Sequence, residues 1–266
     1  VSREFFRWAP TPENPMTTKL SLKEKLGFSS GEYASSMVWQ TLMYFLPIFY
    51  TDTFGLAPAT LATMFLAVRF IDAFTDPIVG MVADRTKTRW GRFRPWILGM
   101  SLPYGIGLVL MFTTPDLAGN AKVFYAYATY TLMMLIYTAI SIPYNSMIGV
   151  VTPDQSDRAS LSSYKFIFAY IAGISVQALI IPMVAKFGEG DAARGYQMAM
   201  SIFAAIAVAL FILTFLSARE RVQPDPNQQT SVGQDLKDLL ANKPWLILFF
   251  VSLASLIYIA IRSAVI

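Results

Sequence analysis

Residues 69–96, RFIDAFTDPIVGMVADRTKTRWGRFRPW, join an apolar run that begins near Leu61 to a loop dense in Arg and Lys. An apolar span ending in a cationic loop is how a membrane helix leaves the bilayer on the cytoplasmic side. Arg69, Asp72 and Asp76 lie inside the apolar part. A charge near the bilayer centre costs about 2.5–3.5 kcal/mol on insertion scales, so this cluster needs partners or a wet cavity.

On a helix, Asp72 and Asp76 are four residues apart, with Arg69 three before Asp72, and all three share one face. The two carboxylates then sit about 6 Å apart along the axis, close enough for their oxygens to converge on one small hard cation. Pro77 removes a backbone donor and frees the carbonyl of Ala73. A structural ion pair is the competing reading, with Arg69 neutralising one acid. One positive charge leaves the second acid over, and an ionised surplus carboxylate in a bilayer needs a proton or a metal.

The rest of the chain supplies the surroundings. It has 266 residues, 55% hydrophobic and 14% charged, with a positive mean hydropathy, a membrane-protein composition. The absence of Cys and His removes disulfides, thiol chemistry, the commonest general base and the commonest transition-metal ligand. No nucleophile motif replaces them, which argues against an enzyme. Apolar spans run at 28–50, 57–83, 95–114, 122–149, 162–185 and 195–217, and a seventh starts at Trp245 and continues to Ile266. Each of the six is long enough to cross a hydrocarbon core of about 30 Å. No secretory signal is expected before the first.

Lys and Arg lie mostly on one side: Arg3, Arg7, Lys19, Lys23 and Lys25 before span one, Arg85 to Arg94 after span two, Arg158 after span four, and Arg219, Arg221, Lys237 and Lys243 after span six. The other side has Lys122, Lys186 and Arg194. The N-terminus is therefore expected in the cytoplasm. Cations confined to loops between apolar spans are not a nucleic-acid signal.

Further polar groups lie within spans. Glu32, Ser36 and Trp39 occupy one helical face, with Gln40 beside them. A snorkelling acid and a packing aromatic explain them singly. Together they suit a sugar, whose C–H face lies on an aromatic ring while carboxylates and amides bind its hydroxyls. Thr138, Ser141 and Asn145 form another polar face beside Pro143, open both to helix–helix bonding and to ligand binding. Lys165, just inside span five, can snorkel or bind ligand.

Residues 1–20 read as an irregular tail or an over-long start upstream of Met16. Residues 21–217 read as a six-helix bundle, 218–243 as a cytoplasmic linker with a short surface helix, and 244–266 as the start of a second bundle.

DAFTDPIVGMVADRTKTRWGRFRPW resembles the signature of the glycoside–pentoside–hexuronide:cation symporters, the melibiose-permease family of the major facilitator superfamily. GMVADRTKTRWGRFR is similar to the superfamily's cytoplasmic G-x-x-x-D-R-x-G-R-R loop, and YTDTFGL, IPYNSM and the Asp157–Arg158 pair fit as well. The resemblance runs from about residue 20 to the end. It implies an all-α membrane fold, the N-terminal six-helix bundle plus the start of helix seven of a twelve-helix carrier. Asp72 and Asp76 match the acids that bind the coupling Na⁺, Li⁺ or H⁺, with Thr75 and Thr138 as neighbours of that site. Glu32, Trp39, Ser141, Asn145 and Lys165 match sugar-pocket positions. Glu stands at 32 where Asp is common, Lys165 where melibiose permeases carry an arginine, Ser141 for an acid and Asn145 for a tryptophan. These departures leave the sugar open. Arg69, Asp84, Arg85, Arg92, Arg158 and Arg262 fall at structural or gating positions.

The function so implied is sugar uptake driven by Na⁺ or H⁺ in a bacterial inner membrane, by a monomer when full length. No cofactor beyond the coupling ion and no nucleic-acid partner are expected. A lipid or lysophospholipid carrier of the same fold and a non-transporting sensor are the alternatives. With Ser141 in place of an acid, Lys165 is expected to be less neutralised, favouring a sugar with a carboxylate unless Glu32 alone pairs it.

Overall fold

The computed structural model describes residues 19–222, 241–244, 246–248, 250, 251 and 254. The chain divides after Val222 into two units. Arg262, most of the expected linker and most of the seventh span lie outside the described residues. The described residues of the second unit are helical except Asn242.

In the first unit a helix covers each of the six apolar spans, and its ends follow local chemistry. Helix α1 (Leu22–Tyr44) starts in a capping box: Glu24 N donates to Ser21 Oγ at 3.3 Å and Ser21 N to Glu24 Oε2 at 3.1 Å. Pro47 interrupts the ladder, and the chain continues through a short turn, α2 (Leu46–Ile48), and a π-helical turn, Phe49–Thr53. Prolines at the first turn open α3 (Pro58–Arg85) and α4 (Arg94–Met111). Helix α5 (Asn120–Ser146) continues almost without a break into α6 (Ile148–Val151). Asp154 caps α7 (Gln155–Gly188) and Asp191 caps α8 (Ala192–Ser217).

By length and composition, Asn120–Val151, Gln155–Gly188 and Ala192–Ser217 are apolar enough to cross a membrane. Helix α3 is long but diluted by Arg69, Asp72 and Asp76. No strand occurs among the described residues.

Helix α1 packs along α7 and α8, α4 lies between α5 and α8, and α3 leans on α5. Gly27 and Gly31, four apart, face α8. A Cβ at Gly31 would stand 2.8 Å from Thr214 Oγ1, and one at Gly27 would collide with the Ser217 side chain. Small residues thus let α1 and α8 approach closely, as membrane helices without a hydrophobic drive between them require. Ser30 and Thr214 hydroxyls bond across the same seam at 3.1 Å. At the opposite end of α1, Phe49 meets Phe112 at 4.8 Å and Tyr196 at 5.2 Å. Helix α3 is the least enclosed of the six, with Phe70, Phe74 and Ile78 all exposed.

Candidate functional site

Two polar clusters lie in this bundle. The first joins α1, α5 and α7 around Lys165, which is only 8% exposed. Its Nζ stands 3.1 Å from Glu32 Oε2 and donates to Asn145 Oδ1 at 2.7 Å. The ammonium also lies 4.5 Å from the centre of the Tyr144 ring, and the Tyr144 hydroxyl donates to the carbonyl of Phe28 at 3.0 Å. Ser36 donates to the other Glu32 oxygen at 3.1 Å, and Asn145 Nδ2 to the Ser141 carbonyl at 2.9 Å. Lys165 therefore points into the bundle and does not snorkel. A buried charge needs this pairing, because leaving it unpaired costs several kcal/mol. Ser141 reaches the cluster's edge, its hydroxyl 3.4 Å from that of Ser35, which in turn contacts the Tyr137 hydroxyl at 3.3 Å.

The second cluster is on α3 and α5. Asp76 is exposed and accepts from Thr138 Oγ1 at 2.9 Å. Asp72 is buried; its Oδ2 lies 3.7 Å from Arg69 Nη1, and its Oδ1 has no hydrogen-bond partner among the described residues. An unmatched carboxylate oxygen in a low-dielectric setting favours a cation or a proton beside it. Pro77 lies inside α3, as the freed Ala73 carbonyl requires. Thr75 departs from expectation: its hydroxyl turns back to the Asp72 backbone carbonyl at 3.4 Å, the usual fate of a mid-helix threonine. Among the described residues no group of three or more acids, His or Cys gathers.

Trp39 and Arg69 connect the clusters. The Arg69 guanidinium lies 5.6 Å from the Trp39 ring centre while also facing Asp72. Trp39 is partly buried against the core and tilts 35° against Tyr137 at 5.3 Å. The ring expected to be open to a sugar thus has Tyr137 and Arg69 as neighbours.

The family model described as MFS/sugar transport protein matches residues 27–266. The inner membrane symporter YicJ of Escherichia coli K12 is 38% identical over 244 residues, 92% of this chain and 53% of that protein. The isoprimeverose transporter of Lactiplantibacillus pentosus is 33% identical, covering 91% of this chain and 51% of its own length. A glucuronide carrier protein homolog of E. coli K12 is 32% identical, at 92% and 56%. This chain belongs to the sugar:cation symporter family. The chain has helices long and apolar enough to cross a membrane, and it spans about half the length of these relatives.

The loop signature at 80–94 is held in a way the sequence did not disclose. Asp84 and Arg85 are exposed at the end of α3. Arg92 lies 5.2 Å over the Phe93 ring, and Arg158 donates to the Pro153 carbonyl at 2.7 Å. The organising residue is Glu220. Its carboxylate accepts the backbone N–H groups of Arg92 (2.8 Å), Phe93 (2.8 Å) and Arg94 (3.0 Å). Phe93, at the N-cap of α4, has no side-chain acceptor, so the carboxylate comes from beyond α8. The missing cap before Pro95 was the sequence signal for it. Gly91 has φ +111°, and a Cβ there would strike this carboxylate.

Arg221 pairs with Glu24, while its backbone N–H and that of Val222 donate to the Val150 carbonyl at 2.8 and 2.9 Å. The first residues of the expected linker, 218–222, are therefore bound to the bundle. Asp157 accepts from Leu20 N and Lys25 Nζ, both at 2.9 Å. The Leu20 N–H and then the Lys25 ammonium hold its carboxyl below the usual carboxylate range.

An apolar groove of about 560 Å³ between α4 and α8 is lined by residues such as Leu102, Gly105 and Val208. It holds none of the polar residues of either cluster.

Proposed function

We propose that this chain supplies the cation site and half of the sugar site of an inner-membrane sugar symporter that works as a monomer. The observation that carries the reading is the pair of polar clusters inside an apolar bundle, bridged by Arg69 and Trp39. Asp72 and Asp76, with the Thr138 hydroxyl, receive the coupling cation, Na⁺ or H⁺. Its charge joins that of Arg69 beside Asp72, and the Arg69 guanidinium already lies over Trp39. Glu32, Asn145 and Lys165 then offer acceptors and donors to sugar hydroxyls, with Ser141 at the edge of the pocket. The carrier rocks between outward and inward openings about this point. Asp84, Arg85, Arg92 and Arg158, together with Arg262, act at the cytoplasmic gate.

The energetics allow concentration of the sugar. One monovalent cation crossing about 100 mV releases about 2.3 kcal/mol, and a tenfold gradient adds about 1.4 kcal/mol. Together they sustain accumulation of a few hundredfold.

The test is sugar uptake by the full-length carrier with and without Na⁺, in Asp72→Asn and Asp76→Asn beside the parent. Both variants are expected to insert normally and lose cation-driven accumulation. Concentrative uptake at the parent level in both would remove the cation site from these residues.

A further inference from the structure

The apolar groove between α4 and α8 ends in a pair of arginines. Gly105 lets the two helices approach, since a Cβ there would stand 2.7 Å from Val208 Cγ2. Exposed Leu102, Ile106 and Ile212 wall the groove of about 560 Å³ beside that contact. By helical period Arg94 falls on the α4 face of Gly105, and Phe215 on the α8 face of Ala204 and Val208. The two residues meet across the same seam. Arg94 Nε and Nη2 donate to the Phe215 carbonyl at 3.2 and 2.7 Å, and the guanidinium lies 4.5 Å over the Phe215 ring. Trp90 stands edge-on to that ring at 5.8 Å and carries the Arg89 guanidinium 4.7 Å over its own face. Two guanidinium groups thus flank one pair of touching rings where the groove runs out. Rings engage the face of a guanidinium and leave its N–H edge, which is the part that binds a phosphate. Arg94 uses three of its five N–H groups on Phe215 and Trp90. Arg89 makes no ion pair among the described residues.

We propose that this surface holds an anionic phospholipid, its phosphate against Arg89 and Arg94 and one acyl chain in the groove. The proposal rests on the reading of the bundle as membrane-spanning. Depth along α4 fits such a ligand. Leu102 lies about 12 Å from Arg94 along the axis and Leu110 about 24 Å. One leaflet with its headgroups is roughly 20–22 Å thick, so a phosphate at the arginines puts acyl carbons beside Leu102 and Ile106. Charge favours an anion. Arg89, Arg92 and Arg94 share this end, and Glu220, the acid bonded there, accepts backbone N–H groups from Arg92, Phe93 and Arg94. A phosphatidylethanolamine brings its own ammonium to this surplus of positive charge, and a phosphatidylglycerol brings none. A second copy of the chain is the weaker occupant. Two copies inserted the same way and related by a two-fold axis would set this basic end against itself, and like charges so placed oppose association.

The experiment is lipid retention by the full-length carrier, purified in detergent with equal amounts of dioleoyl phosphatidylglycerol and dioleoyl phosphatidylethanolamine and read by native mass spectrometry. A phosphatidylglycerol with a diazirine on its acyl chain then maps the contact through the labelled peptides. The parent is expected to retain phosphatidylglycerol on the order of tenfold better than phosphatidylethanolamine and to be labelled within 102–110 and 204–212. Arg89→Gln removes one exposed charge and is expected to lower that preference about fivefold with the labelled segments unchanged. Ala209→Trp fills the groove from an exposed position and is expected to move the label off both segments. Equal retention of the two lipids by the parent overturns the anionic ligand. An unchanged preference in Arg89→Gln overturns the headgroup contact, and parent label outside both segments overturns the groove. A lipid-free dimer gives this face to a second copy and overturns the proposal as well. If Ala209→Trp fails to insert, the parent map and Arg89→Gln still decide. None of these readouts measures sugar uptake, so their failure leaves the symporter reading standing.

Discussion

Glu220 offers the clearest test of how the loop between α3 and α4 is held. Its carboxylate reaches across more than 120 residues of chain to three successive backbone N–H groups at the start of α4. A hydrogen bond to a charged group contributes about 1.5–3 kcal/mol, and a carboxylate at a helix N-terminus adds about 0.3–1 kcal/mol. The three bonds share one carboxylate and water reaches the half-exposed loop, so the terms do not add. Glu220→Ala is expected to cost about 2–3 kcal/mol of local stability. Glu220→Gln keeps one acceptor oxygen without the charge and is expected to cost about half as much. The assay is amide hydrogen exchange resolved over residues 86–96 in the purified protein. A loss of 2–3 kcal/mol predicts about 30- to 150-fold faster exchange at Arg92, Phe93 and Arg94 in Glu220→Ala, with the apolar centre of α4 unchanged. Gly91→Ala is expected to produce the same loosening, because it carries both an unfavourable φ and a clash with this carboxylate. The chain has no Cys, so a single Lys87→Cys gives an independent labelling readout of the loop. Exchange at residues 92–94 equal to the parent in Glu220→Ala would refute the cap.

Two further outcomes follow from the same packing. Gly31→Ala pushes a methyl to 2.8 Å from both Thr214 Oγ1 and Tyr144 Cε2 and is expected to cost about 1–3 kcal/mol of overpacking; an unchanged thermal midpoint in detergent would show that the α1–α8 seam has slack. The carboxyl of Asp157 titrates below its ordinary value of about 3.9, so the ionised form stabilises the fold. That contribution is complete above the unfolded-state value and is lost as pH falls through the lower folded-state value. Asp157→Asn should remove that part of the acid sensitivity, and parallel stability–pH profiles for variant and parent would contradict it.

Much of the architecture was legible along the chain because its causes are local. The six apolar runs, each long enough to cross a bilayer, coincide with helix in the structure. The spacing of Asp72 and Asp76 puts both on one helical face through backbone period alone, and the motif over 72–96 carries the family by itself.

Tertiary structure decided which of these groups meet. Thr138 and Thr75 look equally suited to the proposed cation site in sequence, yet one bonds Asp76 and the other the Asp72 carbonyl of its own helix. The rotation of α3 against α5 sets that choice, and it also buries Asp72 while exposing Asp76. Glu32, Asn145 and Lys165 are far apart in the chain and come together only because α1 packs on α7 beside the end of α5. Glu220 sat in a stretch that read as linker until the end of α8 placed it beneath the uncapped start of α4. Capping and periodicity depend on neighbours a turn away and so can be read from a linear string. Ion pairs between helices depend on axial rotation and crossing, which small residues such as Gly27 and Gly31 set at seams the string does not announce.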